Sequence, residues 1–90
     1  YEEVKKVKKY YIVLSSVTTA QRMSKVLEKN QIRCSMIHTP HKLSAGGCSY
    51  SLILDEKSWQ KAVLLAEQNR ISVKAVYENT GTDEFTKIID

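Results

Sequence analysis

A short polar segment near the middle of the chain, HTPHKLSAGGC at residues 38–48, holds the side chains best suited to chemistry. Cys48 is the candidate nucleophile, because a thiolate attacks electrophilic sulfur and is also a ligand for soft metals. His38, His41 and Lys42 are the nearby bases and cations that would lower the pKa of such a thiol. The segment therefore predicts a thiolate site on a loop.

Two glycines, Gly46 and Gly47, immediately precede this cysteine. Glycine permits positive φ and leaves no side-chain bulk beside the sulfur, so successive backbone N–H groups are free to point at an anion. We therefore expect Gly46 and Gly47 to bind the thiolate through their N–H groups. Spacing alone supports equally a reactive Cys48 and a cysteine that only packs at the base of the loop.

Metal binding is the competing chemistry, because His38, His41 and Cys48 are nitrogen and sulfur donors that suit zinc or copper. The spacing H-x-x-H followed by a cysteine matches no closed four-ligand pattern. A fourth ligand would have to come from Cys34 or Asp55. We therefore predict neither a resident metal nor a bound cofactor, and a metal-handling role is the weaker alternative.

Two helices and four strands are predicted around the segment. Short apolar or alternating runs indicate the strands, and apolar residues three and four positions apart indicate the helices. Hydroxyl side chains at residues 15–19 and the carboxylate of Asp55 are available to cap the helices. The predicted elements are a strand at 10–14, a helix ending near Asn30, strands at 32–38 and 48–54, a helix at 55–70 and a strand at 71–78.

This β-α-β-β-α-β order favours an α+β fold, a ferredoxin-like sandwich of four antiparallel strands with both helices on one face. We expect one domain at residues 10–78, after a basic N-terminal arm at 1–9 and before a C-terminal tail at 79–90. The uncovered sheet face is then left for solvent, a partner or a second copy of the chain. A homodimer is one expected use of that face.

The second cysteine, Cys34, alternates with Ile32 and Met36 on the apolar side of the second strand, so we expect it to be a small buried hydrophobic residue. In a symmetric hairpin Cys34 faces a residue near 52. That residue lies about 13 Å along the partner strand from Cys48, beyond the reach of a disulfide. Two cysteines are also too few for the disulfide framework of a small secreted protein, so both thiols are expected to be reduced.

Charge is spread unevenly along the chain. Residues 1–45 carry nine Lys or Arg and three Asp or Glu, whereas residues 46–90 carry five and seven. Most of the basic excess comes from KKVKK at residues 5–9, next to Tyr10 and Tyr11, a pattern able to contact phosphates beside stacked bases. We favour a solvated arm over a nucleic-acid contact, because nucleic-acid-binding proteins usually spread their charge over a folded face.

Several sequence features that would indicate a membrane protein, a secreted protein or an enzyme are absent. No apolar run approaches the roughly 18 residues of a membrane span, and the N-terminus has charge where a signal peptide needs its apolar centre. We therefore expect a cytoplasmic protein without membrane contact. The sequence also contains no G-x-S-x-G, H-E-x-x-H or P-loop motif, so a non-enzymatic role is expected rather than an enzyme.

The stretches YYIVLSSVTTAQRMSKVLEKNQI, TPHKLSAGGCSYSL and ISVKAVYE together resemble the putative selenium/sulfur carrier protein-like family of small bacterial domains. The resemblance covers about residues 10–78. In this family the central loop reads T-P-R, then a few residues ending in small ones, then G-C. Thr39 and Pro40 match the start of that pattern, and Gly47 and Cys48 match its end.

Two departures from the family pattern lie in the same loop. His41 stands where many relatives carry arginine, so a permanent positive charge is not present at that position. Ser49 and Tyr50 follow the cysteine, where many relatives have a glycine directly after it. The chain therefore resembles a variant branch of the family.

The resemblance implies a sulfur or selenium carrier, or an accessory to one, that holds a persulfide or selenide on Cys48. Its partners would be donor and acceptor proteins, and the flanking glycines, histidines and lysine would steady the anion. The alternative, from a different class, is a regulatory or interaction module whose open sheet face binds a partner or a small ligand. In that module Cys48 would be incidental.

Overall fold

The computed structural model describes residues 8–40, 43, 49–79 and 85–89. They form an α+β domain, which confirms the predicted class. The elements are β1 (Lys9–Leu14), α1 (Val17–Lys29), β2 (Ser35–His38), β3 (Tyr50–Asp55), α2 (Trp59–Gln68), β4 (Ala75–Asn79) and β5 (Phe85–Ile89). None of the helices in these residues is long and apolar enough to cross a membrane.

The strands form one antiparallel sheet in the order β2-β3-β1-β4-β5. The prediction of four strands is therefore wrong in number, because β5 adds a fifth strand beside β4. The segment at 85–89 is short and follows a polar stretch, so its own pattern did not indicate a strand. Pairing with β4 and the contact of Phe85 with Tyr11 stabilise it, and both depend on residues distant in sequence.

The core lies between one face of the sheet and both helices. On β1 the alternate residues Tyr10, Ile12 and Leu14 face the helices and are almost fully buried, as expected for a strand at the centre of a sheet. Each helix presents its small and aliphatic residues to them at helical spacing. The buried helix residues are Ala20, Met23 and Leu27 from α1 and Ala62 and Ala66 from α2.

The two helices begin differently. Ser16 caps α1, and its hydroxyl accepts the Thr19 N–H at 3.2 Å, as the predicted cluster of hydroxyl side chains allows. The carboxylate of Asp55 accepts the N–H of Ser58 at 2.9 Å, but α2 begins only at Trp59. Asp55 therefore stabilises a turn ahead of α2 and is not the N-cap that the sequence suggested.

The two helices end in the same way. The C-cap asparagine of each, Asn30 or Asn69, donates its side-chain amide to the carbonyl four residues earlier at 2.8 Å. The next residue, Gln31 or Arg70, has a positive φ of 61° or 56°. The isoleucine after it then donates its N–H back to the last turn at 2.8 Å, which completes a Schellman motif.

These helix ends shorten the predicted neighbouring strands. β2 begins at Ser35 and β4 at Ala75, three and four residues later than the sequence indicated. Ile32 and Ile71 are both buried, but they pack beneath the helix ends before either strand begins. Alternating apolar residues there belong to helix termination and not to strand pairing.

Candidate functional site

The predicted thiol segment lies between the ends of two strands that the structure describes. β2 ends at His38, which pairs with Tyr50, the first residue of β3. Beyond that pair the Thr39 N–H donates to the Ser49 carbonyl at 3.0 Å, so hydrogen bonding continues past the strands. Ser49 is 5% exposed and is bonded covalently to Cys48. The segment therefore leaves and re-enters the sheet at one hydrogen-bonded junction.

The Thr39 hydroxyl strengthens this junction on the sheet face opposite the helices. Its oxygen lies 2.9 Å from the hydroxyl oxygen of Ser51, which is fully buried. A buried hydroxyl needs a partner, and this contact provides one. Thr39, one of the residues that carry the family resemblance, thus has a structural role in holding the strand ends together.

Of the six predicted site residues, only His38 belongs to the described part of the chain. It ends β2 as predicted, and its exposed ring lies 4.5 Å from the ring of Tyr50, centroid to centroid. β3 begins at Tyr50, two residues after Cys48 and not at Cys48 itself. The remaining predicted site residues lie outside the described residues, and their contacts stay predictions: His41, Lys42, Gly46, Gly47 and Cys48.

The N-terminus of α1 lies at the same edge of the sheet as this junction. β1 ends at Leu14, which pairs with Tyr50, and the helix cap Ser16 follows two residues later. The first turn of α1 contains no acidic side chain. The partial positive charge of a helix N-terminus, about half an elementary charge, is therefore not offset by a neighbouring carboxylate in that turn.

Cys34 has a different environment from the one predicted. It is partly buried against the core rather than fully buried, because residues 32–34 precede β2 and are not paired with β3. Its thiol donates to the Ser24 hydroxyl at 3.8 Å. Burial raises the pKa of the Cys34 thiol, the Ser24 hydrogen bond acts in the opposite direction, and the Glu28 carboxylate raises it further.

A shallow groove of about 850 Å³ runs beside Cys34, between the end of α1 and the end of β3. Its charged lining is mixed, with Lys9 and Arg33 against Glu28 and Asp55. Ser35 pairs with Ile53, so this groove lies at the opposite end of β3 from the junction at Tyr50. The pairing is shifted by about two residues from the symmetric hairpin that the sequence suggested, which increases the separation expected between Cys34 and Cys48.

Metal binding gains no support from the residues that the structure describes, which contain no cluster of three His, Cys, Asp or Glu side chains. His41 and Cys48 lie outside those residues, so metal binding by His38, His41 and Cys48 stays an untested alternative. Its described member, His38, contacts the ring of Tyr50.

The fold and the junction define a small α+β domain in which a glycine- and cysteine-containing segment connects two antiparallel strands. The family model described as Putative Se/S carrier protein-like matches residues 9–78, and the chain belongs to this family. The match runs from β1 to the end region of β4 and includes the whole of residues 38–48, which confirms the resemblance found in the sequence. No curated protein matches the chain.

The sequence predicted an uncovered sheet face but not the aromatic side chains that lie on it. Tyr11, Tyr77 and Phe85 are partly exposed and lie on the sheet face opposite the helices, on three adjacent strands. The alternation along β1 would have identified Tyr11 as facing away from the core. Its neighbours could not be found in this way, because β5 was not predicted and the register between β1 and β4 is a long-range property.

Proposed function

We propose that this protein carries sulfur or selenium between a donor and an acceptor protein, as a persulfide or its selenium counterpart on Cys48. The observation that carries the proposal is the family match over residues 9–78, which contains Cys48 and bears the name of a selenium/sulfur carrier. The carrier is not itself a turnover enzyme, because the donor and the acceptor supply the catalytic groups. Its thiol must be reduced, which favours the cytoplasm.

The electrostatics of the junction support this role. A carrier thiol has to be ionised to accept sulfur, and the loaded group is itself an anion at neutral pH. The strand ends that flank Cys48 lie at the same sheet edge as the N-terminus of α1, where no first-turn carboxylate offsets the helix charge. His38, His41 and Lys42, with the N–H groups of Gly46 and Gly47, would add further stabilisation in the loaded state.

The transfer step is a thiol–disulfide type exchange. The Cys48 thiolate attacks the outer sulfur of a donor persulfide, forming a new S–S bond while the donor S–S bond breaks. The donor sulfur leaves as a thiolate with the bonding electron pair. The proton of the donor persulfide moves with the transferred sulfur and then dissociates to water, which leaves the loaded group as an anion. The same exchange runs in reverse order toward the acceptor, so no external oxidant or reductant is consumed in either half.

Intact-mass spectrometry tests this proposal after the protein has been incubated with a cysteine desulfurase and cysteine. Wild type and Cys34→Ser are expected to gain one sulfur atom, whereas Cys48→Ser is not. The Cys34→Ser variant is the matched control, since it removes the other thiol of the chain by the same substitution. Absence of an adduct on wild type, or an equal adduct on Cys48→Ser, would contradict the carrier role.

A further inference from the structure

The register of β2 against β3 is only weakly fixed by burial. β2 is an edge strand of four residues, and none of the four is buried. Burial specifies a register strongly only where one face of a strand is buried, because a slip of one residue would expose that face. A tight turn can also fix the register, but residues 39–49 separate β2 from β3. Another interaction is therefore needed to select the observed pairing, in which Met36 lies opposite Leu52.

A side-chain contact directly after β2 depends on this register. The Thr39 N–H donates to the Ser49 carbonyl, which places these two residues opposite each other. The Thr39 hydroxyl oxygen lies 2.9 Å from that of Ser51, its diagonal neighbour on β3. A slip of one residue would turn Thr39 toward the other face of the sheet and separate the two hydroxyls. The contact is therefore specific to the observed register.

The burial of Ser51 makes loss of this contact costly. Ser51 is 0% exposed, and its hydroxyl would be left without a protein partner if Thr39 moved away. A buried hydroxyl without a partner is destabilising, because the hydrogen bond that it made to water is not replaced. Two apolar side chains of the same shape would carry no such penalty. The hydroxyl pair therefore disfavours other registers in a way that an apolar pair would not.

We infer that the hydrogen bond between Thr39 and Ser51 selects the register of β2 against β3. A slip of one residue would move His38 by about 3.3 Å relative to Ser49, to which Cys48 is bonded. Misplacing a reacting group by about 1 Å can slow a reaction by about 100-fold. Thr39 is thus a positioning residue for sulfur transfer, and this second part of the inference rests on the proposed carrier role.

Nuclear magnetic resonance of the free protein tests the register. Wild type should show one set of cross-strand nuclear Overhauser effects, which join the backbone of Met36 to that of Leu52. The Thr39→Val/Ser51→Ala double variant removes both hydroxyls and leaves neither unpaired, so it should fold. It should lose the wild-type set or show a second set beside it, whereas Thr39→Ser retains a hydroxyl and should keep the wild-type set. An unchanged single set in the double variant would overturn the inference.

The rate of sulfur loading by a cysteine desulfurase and cysteine tests the positioning role. The double variant should load at least about tenfold more slowly than wild type, and Thr39→Ser should load like wild type. Ser35→Ala removes an exposed hydroxyl from the same strand and is the matched control, expected to resemble wild type in both measurements. Loading of the double variant at the wild-type rate, or equal slowing by Ser35→Ala, would overturn the positioning role.

The single variant Thr39→Val separates positioning from stability. It leaves the Ser51 hydroxyl unpaired and should therefore unfold at a lower urea concentration than the double variant. A positioning role predicts that both variants load equally slowly, whereas a role in stability alone predicts slower loading by the less stable one. Thr39→Val also provides the test should the double variant fail to fold.

Failure of this inference is distinguishable from failure of the carrier role. Wild type that loads, together with a double variant that loads equally fast, would leave the carrier role intact and overturn the positioning role. Wild type that gains no sulfur would overturn the carrier role and the positioning role together. In that case the nuclear Overhauser effects would still decide whether the two hydroxyls select the register.

Discussion

The two thiols of the chain differ in the environment that surrounds each sulfur. Cys34 is partly buried against the core, where burial and Glu28 raise the pKa of its thiol. A protonated thiol is a poor nucleophile, because only the thiolate attacks. Sulfur transfer requires an ionised thiol, so we do not expect Cys34 to take part in it. It serves as an internal reference for Cys48.

Alkylation rates test this difference directly. The Cys48→Ser variant retains only Cys34, and its rate with iodoacetamide should stay low until the pH exceeds the ordinary pKa of a thiol, about 8.5. The Cys34→Ser variant retains only Cys48 and should reach half of its maximal rate at a lower pH. Both rates are measured by quenching the reaction at successive times, at several pH values, and determining the alkylated fraction by mass spectrometry. Faster alkylation of Cys34 than of Cys48 at neutral pH would contradict the assignment.

Tyr10 is a buried titratable residue with two close side-chain contacts. Its hydroxyl donates to the Glu78 carboxylate at 2.7 Å, and its ring stacks on Trp59 with centroids 4.7 Å apart. The hydrogen bond to Glu78, together with burial, raises the pKa of Tyr10 to about 12. This contact ties β1 to β4 and to the first residue of α2.

The raised pKa of Tyr10 predicts a loss of stability at high pH. Because the folded pKa exceeds the unfolded value of about 10, the contribution of the protonated hydroxyl is complete below pH 10 and is lost as the pH rises through about 12. Tyr10→Phe should lower the free energy of unfolding by about 0.5 to 1.5 kcal/mol near neutral pH. Urea titrations should show that this difference from wild type shrinks above pH 10.

A matched substitution controls for the other groups that titrate in the same range. Tyr77→Phe removes a hydroxyl from a partly exposed tyrosine on the other face of the sheet, so its unfolding curve should follow that of wild type at each pH. A Tyr10→Phe difference that stays constant from pH 8 to pH 12 would show that Tyr10 does not titrate in the way its hydrogen bond implies.

At the level of elements, both helices are followed by a residue in the left-handed region, and in neither case is that residue a glycine. Gln31 and Arg70 occupy the position that glycine usually takes in a Schellman motif. A residue with a Cβ atom is disfavoured there by about 1 to 2 kcal/mol. Glycine removes that cost but increases the entropy lost on folding by about 0.5 to 1 kcal/mol. The two effects leave a net gain for glycine.

Gln31→Gly is therefore expected to raise the free energy of unfolding by about 0.5 to 1 kcal/mol. Lys29→Gly, two residues earlier in the last turn of α1, is the control and should lower it by about 1 kcal/mol, because φ is helical there. Denaturant titrations of both variants provide the measurement. Destabilisation by Gln31→Gly would show that the side chain of Gln31 makes a contact that outweighs its backbone strain.

The elements also show how far the sequence predicts this structure. α1 and β1 follow from the local sequence pattern. The apolar residues of α1 recur at helical spacing, and β1 is a short apolar run. β5 and the late start of β2 do not, because both depend on partners distant in sequence or on helix termination. For the site, residue types and spacing identified Cys48 as a candidate. The sequence did not show that the strands flanking Cys48 end near the N-terminus of α1, because that depends on the register of the sheet.

At the scale of the whole molecule, β1 connects the thiol segment with the sheet face opposite the helices. Its end at Leu14 pairs with Tyr50 beside the thiol segment, and its Tyr11 contacts Phe85 on the sheet face opposite the helices. The groove at Cys34 lies at the opposite end of β3. The groove therefore lies away from the strand ends that flank Cys48, and the proposed carrier role does not involve it.

We propose that sulfur is carried on Cys48, and peptide mapping tests this most directly. Trypsin separates the two thiols into different peptides, residues 34–42 with Cys34 and residues 43–57 with Cys48. Peptide mass spectrometry of wild-type protein, loaded by a cysteine desulfurase and then alkylated, locates the added sulfur. We expect the added sulfur on residues 43–57, and we expect its release when an acceptor thiol is supplied. An added sulfur on residues 34–42, or on neither peptide, would show that Cys48 is not the carrier thiol.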